Sequence, residues 1–436
     1  MIIKNGIEKA LKSNAARFFT PGHTGDGFLP LYYDVTELEG TDNLQNPLDI
    51  ISDATKNAAF IYGASKSFFL VNGSSIGIHA LVMSTCRRGD TLIVDRGCHI
   101  SVINAIILND IKPIYIQPKY NKKFGITTHI SPADIELALN EYPHAKGVLI
   151  TSPNYYGMCC DVKKIAQIVR KHSSILLVDE AHGAHFAFSN ALPATALSYG
   201  ADGVVQSTHK TLPCITQGAL LHLGGNKLCR QTVQQNLNML QTTSPSYLIM
   251  MSVDNAIQKA AAYPKKEIDC FVKRCRAFKE KINKTEQFKC LDNGDDTRLV
   301  VNAGKNATKV NFFLRENYNI ISEMCDGQNI IFIAKLFYGM GDVERLESAL
   351  IKISDKLDLH EGVKNLPPPK LQLKISPSDA YYSSTEALSP QNAVGKIAAR
   401  AVYKMPPCTA LITPGEVITK AAASQLNEDI FVVKGR

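Results

Sequence analysis

A single lysine follows an apolar run in the stretch "GVVQSTHKT", residues 203–211. Lysine is strongly hydrated and is rarely buried without a partner, so Lys210 needs an explanation at this position. A lysine held in a largely apolar cavity is more easily deprotonated, and its amine then becomes a nucleophile. The common use of such an amine is a Schiff base with a carbonyl compound.

Other apolar runs also end in residues that could do chemistry. Ser74 and Ser75 follow "FFLVNG" and open a predicted helix, whose backbone N–H groups and hydroxyls suit a phosphate. Asp179 ends "SILLVD", and a buried carboxylate there needs a cationic or hydrogen-bonding partner. His99 follows "DTLIVD", near the start of the next helix. Alone, the serine turn is more often an ordinary helix cap, and a single histidine is more often structural than functional.

Taken together, these residues fit pyridoxal 5′-phosphate (PLP). Its aldehyde suits Lys210, its phosphate suits the Ser74 turn, and its pyridine nitrogen suits Asp179, which would keep that nitrogen protonated. An imidazole face can stack on the ring, which gives His99 a role. Ser207 and His209 flank the lysine and could add phosphate hydrogen bonds. A metal is not expected, because the Asp, Glu and His residues after "SILLV" lack the HExxH order.

The elements that position these residues form an α/β pattern. Short apolar runs alternate with helical stretches from about residue 68 to 225, and the runs contain no alternating polar positions. Such strands are buried on both faces and typically form a mostly parallel sheet covered by helices. In these sheets ligands bind at the carboxyl ends of the strands, where all the residues above lie. A long helix is predicted over 252–284.

Changes of pattern along the chain predict five segments. These are an N-terminal arm (1–60), a large cofactor-binding domain (61–260), a small α+β domain (261–358), a Pro-rich linker (359–376) and a C-terminal segment (377–436).

Composition narrows the possible partners. The net charge is +8, but the basic residues are scattered, so a nucleic-acid surface is not expected. No apolar run reaches the roughly 18 residues that a membrane span requires. The 11 cysteines are odd in number and lack CxxC spacing, which favours reduced thiols and a cytoplasmic location.

Longer motifs carry a family resemblance. The stretches "FFLVNGSS", "RGCHIS", "DEAHGAHF" and "STHKTLPCITQGALLH" resemble the Orn/Lys/Arg decarboxylase family of PLP enzymes. "TPGH", "DVTELEGTDNLQNP", "PNYYG", "QTTSPSYLIMMSVDNA" and "GKIAARAVYKMPPCTALITPGE" extend the likeness over nearly the whole chain. The resemblance implies PLP-dependent transferase fold type I, the aspartate aminotransferase fold group, with a mostly parallel central sheet and a smaller α+β part.

The resemblance also implies a role for each matching residue. Lys210 would form the Schiff base, Asp179 would pair with the pyridine nitrogen, and His99 would stack on the ring. The implied phosphate ligands are Ser74, Ser75, Ser207 and His209, and His182 would lie near the cofactor. Thr243 would reach the phosphate of a neighbouring subunit, so a homodimer or a higher even oligomer is expected.

The activity implied is decarboxylation of arginine, lysine or ornithine to a polyamine-pathway amine and CO₂, with agmatine slightly favoured as the product. Either His209 or Lys210 would return the proton to Cα. Departures from the family pattern at Gln45, Thr409 and Ala410 leave the substrate open. The acidic candidates for binding a cationic substrate are Asp26, Glu37, Asp42 and Glu416. The alternatives are another fold-type-I enzyme, such as an aminotransferase or α-oxoamine synthase, or a non-catalytic PLP-binding protein.

Overall fold

A computed structural model describes residues 1–10, 31–337, 339–354, 366–404 and 409–435. The chain forms two compact units, one of residues 1–85 and 175–267, the other of residues 86–174 and 268–436. None of the described helices is long and apolar enough to cross a membrane. The cysteines in the described part of the chain form no disulfide bonds with one another.

The described helices are α1 (Ile2–Ala10), α2 (Ile50–Tyr62), α3 (Ser74–Thr85), α4 (Ile100–Leu108), α5 (Pro132–Glu141), α6 (Val162–Lys171), α7 (Thr208–Thr211), α8 (Arg230–Leu240), α9 (Tyr247–Ala262), α10 (Lys265–Asn283), α11 (Ala307–Tyr318), α12 (Met340–Ser354), α13 (Pro377–Tyr382) and α14 (Lys420–Ala423). The described strands are β1 (Lys66–Leu70), β2 (Thr91–Asp95), β3 (Lys112–Ile116), β4 (Tyr120–Asn121), β5 (Ile126–Thr127), β6 (Gly147–Thr151), β7 (Ile175–Asp179), β8 (Gly203–Gln206), β9 (Ala219–Leu223), β10 (Lys289–Cys290), β11 (Arg298–Asn302), β12 (Met324–Cys325), β13 (Asn329–Ile333), β14 (Thr385–Leu388), β15 (Val402–Lys404), β16 (Thr409–Ile412) and β17 (Ile430–Val433).

The first unit has four adjacent strands in the order β1-β9-β8-β7. Strands β7 and β8 are parallel, with Asp179 opposite Val205. Strand β9 runs antiparallel to both β8 and β1, with His222 opposite Val204 on one side and Ser67 on the other. These strands are almost entirely buried, which explains why their sequences are continuous apolar runs.

The second unit contains the parallel strands β6, β2 and β3, with β2 between the other two. It also contains the antiparallel sheet β10-β11-β13-β12 and two short antiparallel pairs, β14 with β17 and β15 with β16. The C-terminal pairs pack around an apolar cluster of their own that includes Leu411, Ile412, Ile430 and Val432.

The α/β class with mostly parallel strands is confirmed, and each apolar run that was predicted to be a strand is one. The single helix predicted over 252–284 is wrong. The structure has α9 and α10 there, separated at Tyr263 and Pro264. Proline lacks the N–H that a helix interior needs and disfavours helical backbone at the residue before it. The five predicted segment boundaries remain predictions.

Candidate active site

Lys210 lies in the short helix α7, directly after strand β8. Its backbone N–H donates to the Ser207 carbonyl at 3.1 Å. Its Nζ lies 3.1 Å from Nε2 of His182, a buried residue in the loop after β7. In its ammonium form Lys210 has only donors, and the His182 nitrogen then accepts. His182 therefore orients the amine that sequence reasoning assigned to Schiff-base chemistry.

A tight turn between β1 and α3 brings two serines to the start of a helix. Gly73 has φ of 79°, a left-handed conformation that favours glycine, and its N–H donates to the Gln217 carbonyl at 3.1 Å. Ser74 and Ser75 follow as the first residues of α3. The Ser207 hydroxyl donates to the Ser74 hydroxyl at 2.7 Å, which joins this turn to the loop of Lys210.

Asp179 is the last residue of β7, and it is only 4% exposed. Its Oδ1 accepts a hydrogen bond from the Ala181 N–H at 3.1 Å. A buried carboxylate is costly without a cationic or hydrogen-bonding partner. A pyridinium N–H is a partner of the required kind.

His209 is held in one ring orientation. Its Nδ1 lies 3.0 Å from the Gly218 carbonyl oxygen, and its backbone N–H donates to the same oxygen at 3.2 Å. Because a carbonyl can only accept, Nδ1 carries the hydrogen and Nε2 of the neutral ring is left able to accept a proton. Burial lowers the pKa of His209 below its ordinary value, which favours that neutral ring.

These residues fit PLP by the chemistry of their groups. In the first unit, the hydroxyls of Ser74 and Ser75 lie at the start of a 12-residue helix, and Ser207 connects this turn to the loop of Lys210. The same unit buries the Asp179 carboxylate at the end of a strand. The unpaired N–H groups of a helix N-terminus favour a phosphate. An aldehyde, a phosphate and a pyridine nitrogen are thus each matched.

His99 belongs to the second unit. It is the N-cap of α4, where its Nδ1 accepts from the Ser101 N–H at 3.2 Å and lies 2.9 Å from the Ser101 hydroxyl. Its backbone forms an isolated β-bridge with Thr409. The ring-stacking role of His99 remains a prediction.

Thr243 is exposed, and the residues before it form hydrogen bonds with the turn between β1 and α3. The neighbouring Thr242 N–H donates to the Asn72 side-chain oxygen at 3.1 Å. The Gln241 side-chain oxygen accepts from the Val71 N–H at 2.9 Å. Both contacts lie just before Gly73, so Thr243 is near the predicted phosphate turn of its own chain. Its reach toward a second subunit remains a prediction.

Asp42 holds a loop and the start of helix α2. Its two carboxylate oxygens accept from five backbone N–H groups at 2.8–3.2 Å. The donors are Asn43, Leu48, Asp49, Ile51 and Ser52. Burial raises the pKa of Asp42, but these bonds outweigh burial and leave that pKa below its ordinary value. The contacts give Asp42 a structural task beside its predicted role in binding substrate.

The other acidic candidates lie in different surroundings. Glu37 is half-buried and accepts from the Thr36 hydroxyl at 2.7 Å. Glu416 belongs to the second unit, where it is fully buried and forms an ion pair with Arg96 at 2.8 Å. Asp26 lies outside the described residues. A contact with substrate remains a prediction for each of them.

Sequence reasoning missed a second polar cluster in the first unit. Glu180, directly after Asp179, accepts from the side chain of Gln206, which in turn contacts His222. A signal was present, because Gln206 and His222 are polar residues inside strands that are otherwise apolar.

Comparison with known proteins shows the family. Residues 8–300 match the family model described as Orn/Lys/Arg decarboxylase, major domain. The arginine decarboxylase of Bacillus subtilis (strain 168) is 32% identical over 453 residues, which cover 98% of this chain and 92% of that protein.

Solved structures show the fold. The lysine decarboxylase LdcF of Francisella novicida superimposes with a TM-score of 0.84 at 18% identity, covering 99% of this chain and 81% of that one. A structure described as "SPT with PLP" superimposes with a TM-score of 0.56 at 14% identity, covering 70% of this chain and 76% of that one. The predicted fold type I, a fold of PLP enzymes, is thereby confirmed. By the family match and the identity to the Bacillus enzyme, this chain belongs to the Orn/Lys/Arg decarboxylase family of amino acid decarboxylases.

Proposed function

We propose that this protein decarboxylates a basic L-amino acid to the corresponding amine and CO₂, with PLP bound to Lys210 as a Schiff base. The observation that carries the proposal is the cluster at the strand ends of the first unit. There the Lys210 amine contacts His182, the Ser74 and Ser207 hydroxyls contact each other, and Asp179 is buried.

The cofactor, when bound, withdraws the electron pair that the departing CO₂ leaves at Cα. The residues of this chain hold and tune it. Asp179 would keep a proton on the pyridine nitrogen, because a buried carboxylate stabilises a neighbouring cation. The N–H groups and hydroxyls at the start of α3, together with Ser207, would bind its phosphate.

Two groups can move a proton at the reacting carbon. His182 accepts from the Lys210 amine at 3.1 Å, so it can hold that amine once it has been released from the cofactor. His209 has its Nδ1 hydrogen directed at the Gly218 carbonyl, so its Nε2 can take up and deliver a proton. Lys210, whose amine contacts His182, and His209 are therefore the two candidate donors to Cα.

We favour arginine as the substrate and agmatine as the product. This choice is supported by the arginine decarboxylase of B. subtilis, which matches 98% of this chain. Lysine and ornithine differ from arginine only in the length and head group of the side chain. Glu37 and Asp26 are candidates for binding the cationic group.

We also propose that the enzyme acts as a homodimer in the cytoplasm, with Thr243 contributing to the site of the partner subunit. The exposed position of Thr243 beside Asn72 and Gly73 supports a role near a phosphate. The free cysteines of the described residues suit a reducing compartment.

The test is direct. The PLP-loaded protein is incubated separately with arginine, lysine and ornithine, and the product amine is identified by mass spectrometry while released CO₂ is measured. Lys210→Ala is the control. We expect agmatine and CO₂ from arginine and no amine from the control. Consumption of the amino acid only when a keto acid or acyl co-substrate is added, without formation of the decarboxylated amine, would instead indicate an aminotransferase or oxoamine synthase. A bound cofactor without any turnover would indicate a non-catalytic PLP protein.

A further inference from the structure

A row of buried polar side chains crosses the four strands of the first unit. Glu180 follows β7, Gln206 is in β8, His222 is in β9 and Ser67 is in β1. Glu180 is 2% exposed and the other three are 0% exposed. Gln206 Nε2 donates to Glu180 Oε2 at 2.6 Å, His222 Nε2 lies 3.3 Å from Gln206 Oε1, and Ser67 Oγ lies 2.7 Å from His222 Nδ1. The side chains thus form one continuous chain of hydrogen bonds.

This row lies on the sheet face opposite to Asp179. Successive residues of a strand point to opposite faces, and the Glu180 N–H continues the ladder by donating to the Val205 carbonyl at 2.9 Å. Val205 is opposite Asp179, and Val204 is opposite His222. Asp179 and Val205 therefore share one face, while Glu180 and His222 share the other. Only the backbone of the sheet therefore separates the row from the Asp179 side of the candidate active site.

The hydrogen bonds of the row can be satisfied in two ways. With Glu180 ionised, Gln206 donates to it, His222 Nε2–H donates to Gln206, and the Ser67 hydroxyl donates to His222 Nδ1. With Glu180 protonated, its hydroxyl donates to a rotated Gln206 amide, which then donates to His222 Nε2, and Nδ1–H donates to Ser67. The Ala196 N–H donates to Glu180 Oε1 in both arrangements. One proton on Glu180 thus reverses every bond in the row.

The electrostatic surroundings make this reversal accessible. Burial, and to a smaller extent the charge of Asp179, raises the pKa of Glu180 to about 8. Burial lowers the pKa of His222 to about 3, so its ring stays neutral and only its hydrogen changes position. Tyr62 covers the His222 ring at a centroid distance of 4.7 Å, and burial keeps its hydroxyl protonated, donating to the Ala184 carbonyl at 2.8 Å.

We propose that the row Glu180–Gln206–His222–Ser67 is a proton relay that makes Glu180 a positioning residue for Asp179. When Glu180 is ionised, a second negative charge lies behind Asp179 and strengthens its hold on the cation that it binds. When Glu180 is protonated, that charge is absent and the row is reversed. The identity of the cation as a pyridinium rests on the proposed function, but the relay itself does not.

The test follows the hydrogen on His222 in the holoenzyme by nitrogen NMR of isotope-labelled histidine, with His222→Gln to assign the signal. Above pH 8 we expect the hydrogen on Nε2, and below pH 8 on Nδ1. Glu180→Gln mimics the protonated state, because the Ala196 N–H holds its amide oxygen and leaves its NH₂ group to donate to Gln206, so this variant should show Nδ1–H at every pH. Asp254→Asn, a matched change of another buried carboxylate in the same unit, should leave the transition unchanged.

A second measurement tests the effect on Asp179. We expect kcat/KM of the wild type to rise roughly ten-fold as Glu180 ionises through pH 8, and this step to be absent in Glu180→Gln. Identical pH profiles in the two proteins would overturn the positioning role. One unchanging tautomer of His222 in the wild type, or a transition that persists in Glu180→Gln, would overturn the relay. The NMR result does not depend on turnover, so a failure of the proposed decarboxylation is distinguishable from a failure of the relay.

Discussion

Glu416→Gln should strongly destabilise the second unit, because it leaves a buried arginine without its counter-ion. The side chains of Arg96 and Glu416 are 4% and 2% exposed, and they meet through two contacts of 2.8 and 3.3 Å. Arg96 also donates to the carbonyls of Ala410 and Leu411, while Glu416 accepts from the Thr413 N–H at 2.6 Å. The hydrogen bonds of both charged groups are therefore made to each other and to backbone groups, and the Arg96 guanidinium also lies 5.3 Å from the centroid of the Tyr115 ring.

The size of the effect follows from that burial. Removing one partner of a buried, hydrogen-bonded ion pair typically costs about 3–5 kcal/mol, since the remaining charge has lost both water and its partner. The amide in Glu416→Gln keeps the side-chain volume and one acceptor, so no large cavity adds to this cost. At ~2–4 °C per kcal/mol for a unit of this size class, the unfolding temperature should fall by roughly 6–20 °C.

Thermal and urea unfolding of the PLP-loaded protein, followed by circular dichroism, measure the change. Glu428→Gln is the matched control, because Glu428 is an exposed glutamate in the same C-terminal segment, and it should change stability by less than about 0.5 kcal/mol. The double change Arg96→Met with Glu416→Leu removes both charges and should recover most of the loss. A cost below about 1 kcal/mol for Glu416→Gln would refute the reasoning, since it would mean that water reaches the pair.

Three further outcomes are expected. Lys210→Ala should lose the visible absorbance band of bound PLP and its covalent trapping by borohydride; trapping at the usual site in this variant would exclude Lys210 as the Schiff-base residue. Asp179→Asn should keep the fold but lower kcat by ten-fold or more, because a charged hydrogen bond is worth roughly 1.5–3 kcal/mol; wild-type turnover would contradict the assignment. Mixing inactive Lys210→Ala subunits with inactive Thr243→Arg subunits should restore activity in hybrid dimers, and proven subunit exchange without recovery would place each site within one chain.

Acid unfolding gives a prediction for Asp42. A depressed carboxyl pKa adds stability that is present above the unfolded-state pKa, about 3.9, and is lost as the pH falls through the lower folded-state pKa. Asp42→Asn should therefore lower stability at neutral pH, and the difference from the wild type should shrink in acid. A difference that stays constant down to the lowest pH of native structure would show that the carboxylate charge contributes nothing.

The strand-end residues could be predicted because burial dominates both the pattern and the chemistry. Strands that are buried on both faces have continuous apolar sequences, so the polar residues that end these strands can be recognised in the sequence. Lys210, Asp179 and Ser74 lie at three such ends, and the structure connects the loops of Lys210 and Ser74 through Ser207. The break between α9 and α10 was also available in the sequence, since Pro264 marks it.

Gln206 and His222 are visible in the sequence as polar residues within apolar runs, but their pairing in the buried row could not be predicted, because it is set by strand register. Gln206 contacts Glu180 only because β7 and β8 are parallel in one register, and His222 meets Ser67 only because β9 turns antiparallel. Local sequence does not specify which strands become neighbours. In the same way, the Asp42 carboxylate accepts hydrogen bonds from backbone N–H groups up to ten residues further along the chain. The hydrophobic periodicity of the sequence does not predict such a loop closure.

The Arg96–Glu416 pair also bears on how the chain is made. The two residues are 320 positions apart, so at ~5–20 residues per second a ribosome needs about 16–64 s to produce Glu416 after Arg96 has been synthesised. Throughout that interval the guanidinium of the nascent chain has no carboxylate to meet, and desolvating it would cost several kcal/mol. Arg96 therefore reaches its buried, ion-paired state only after Glu416 has been synthesised, so the part of the second unit around β2 and Glu416 can be completed only late in synthesis.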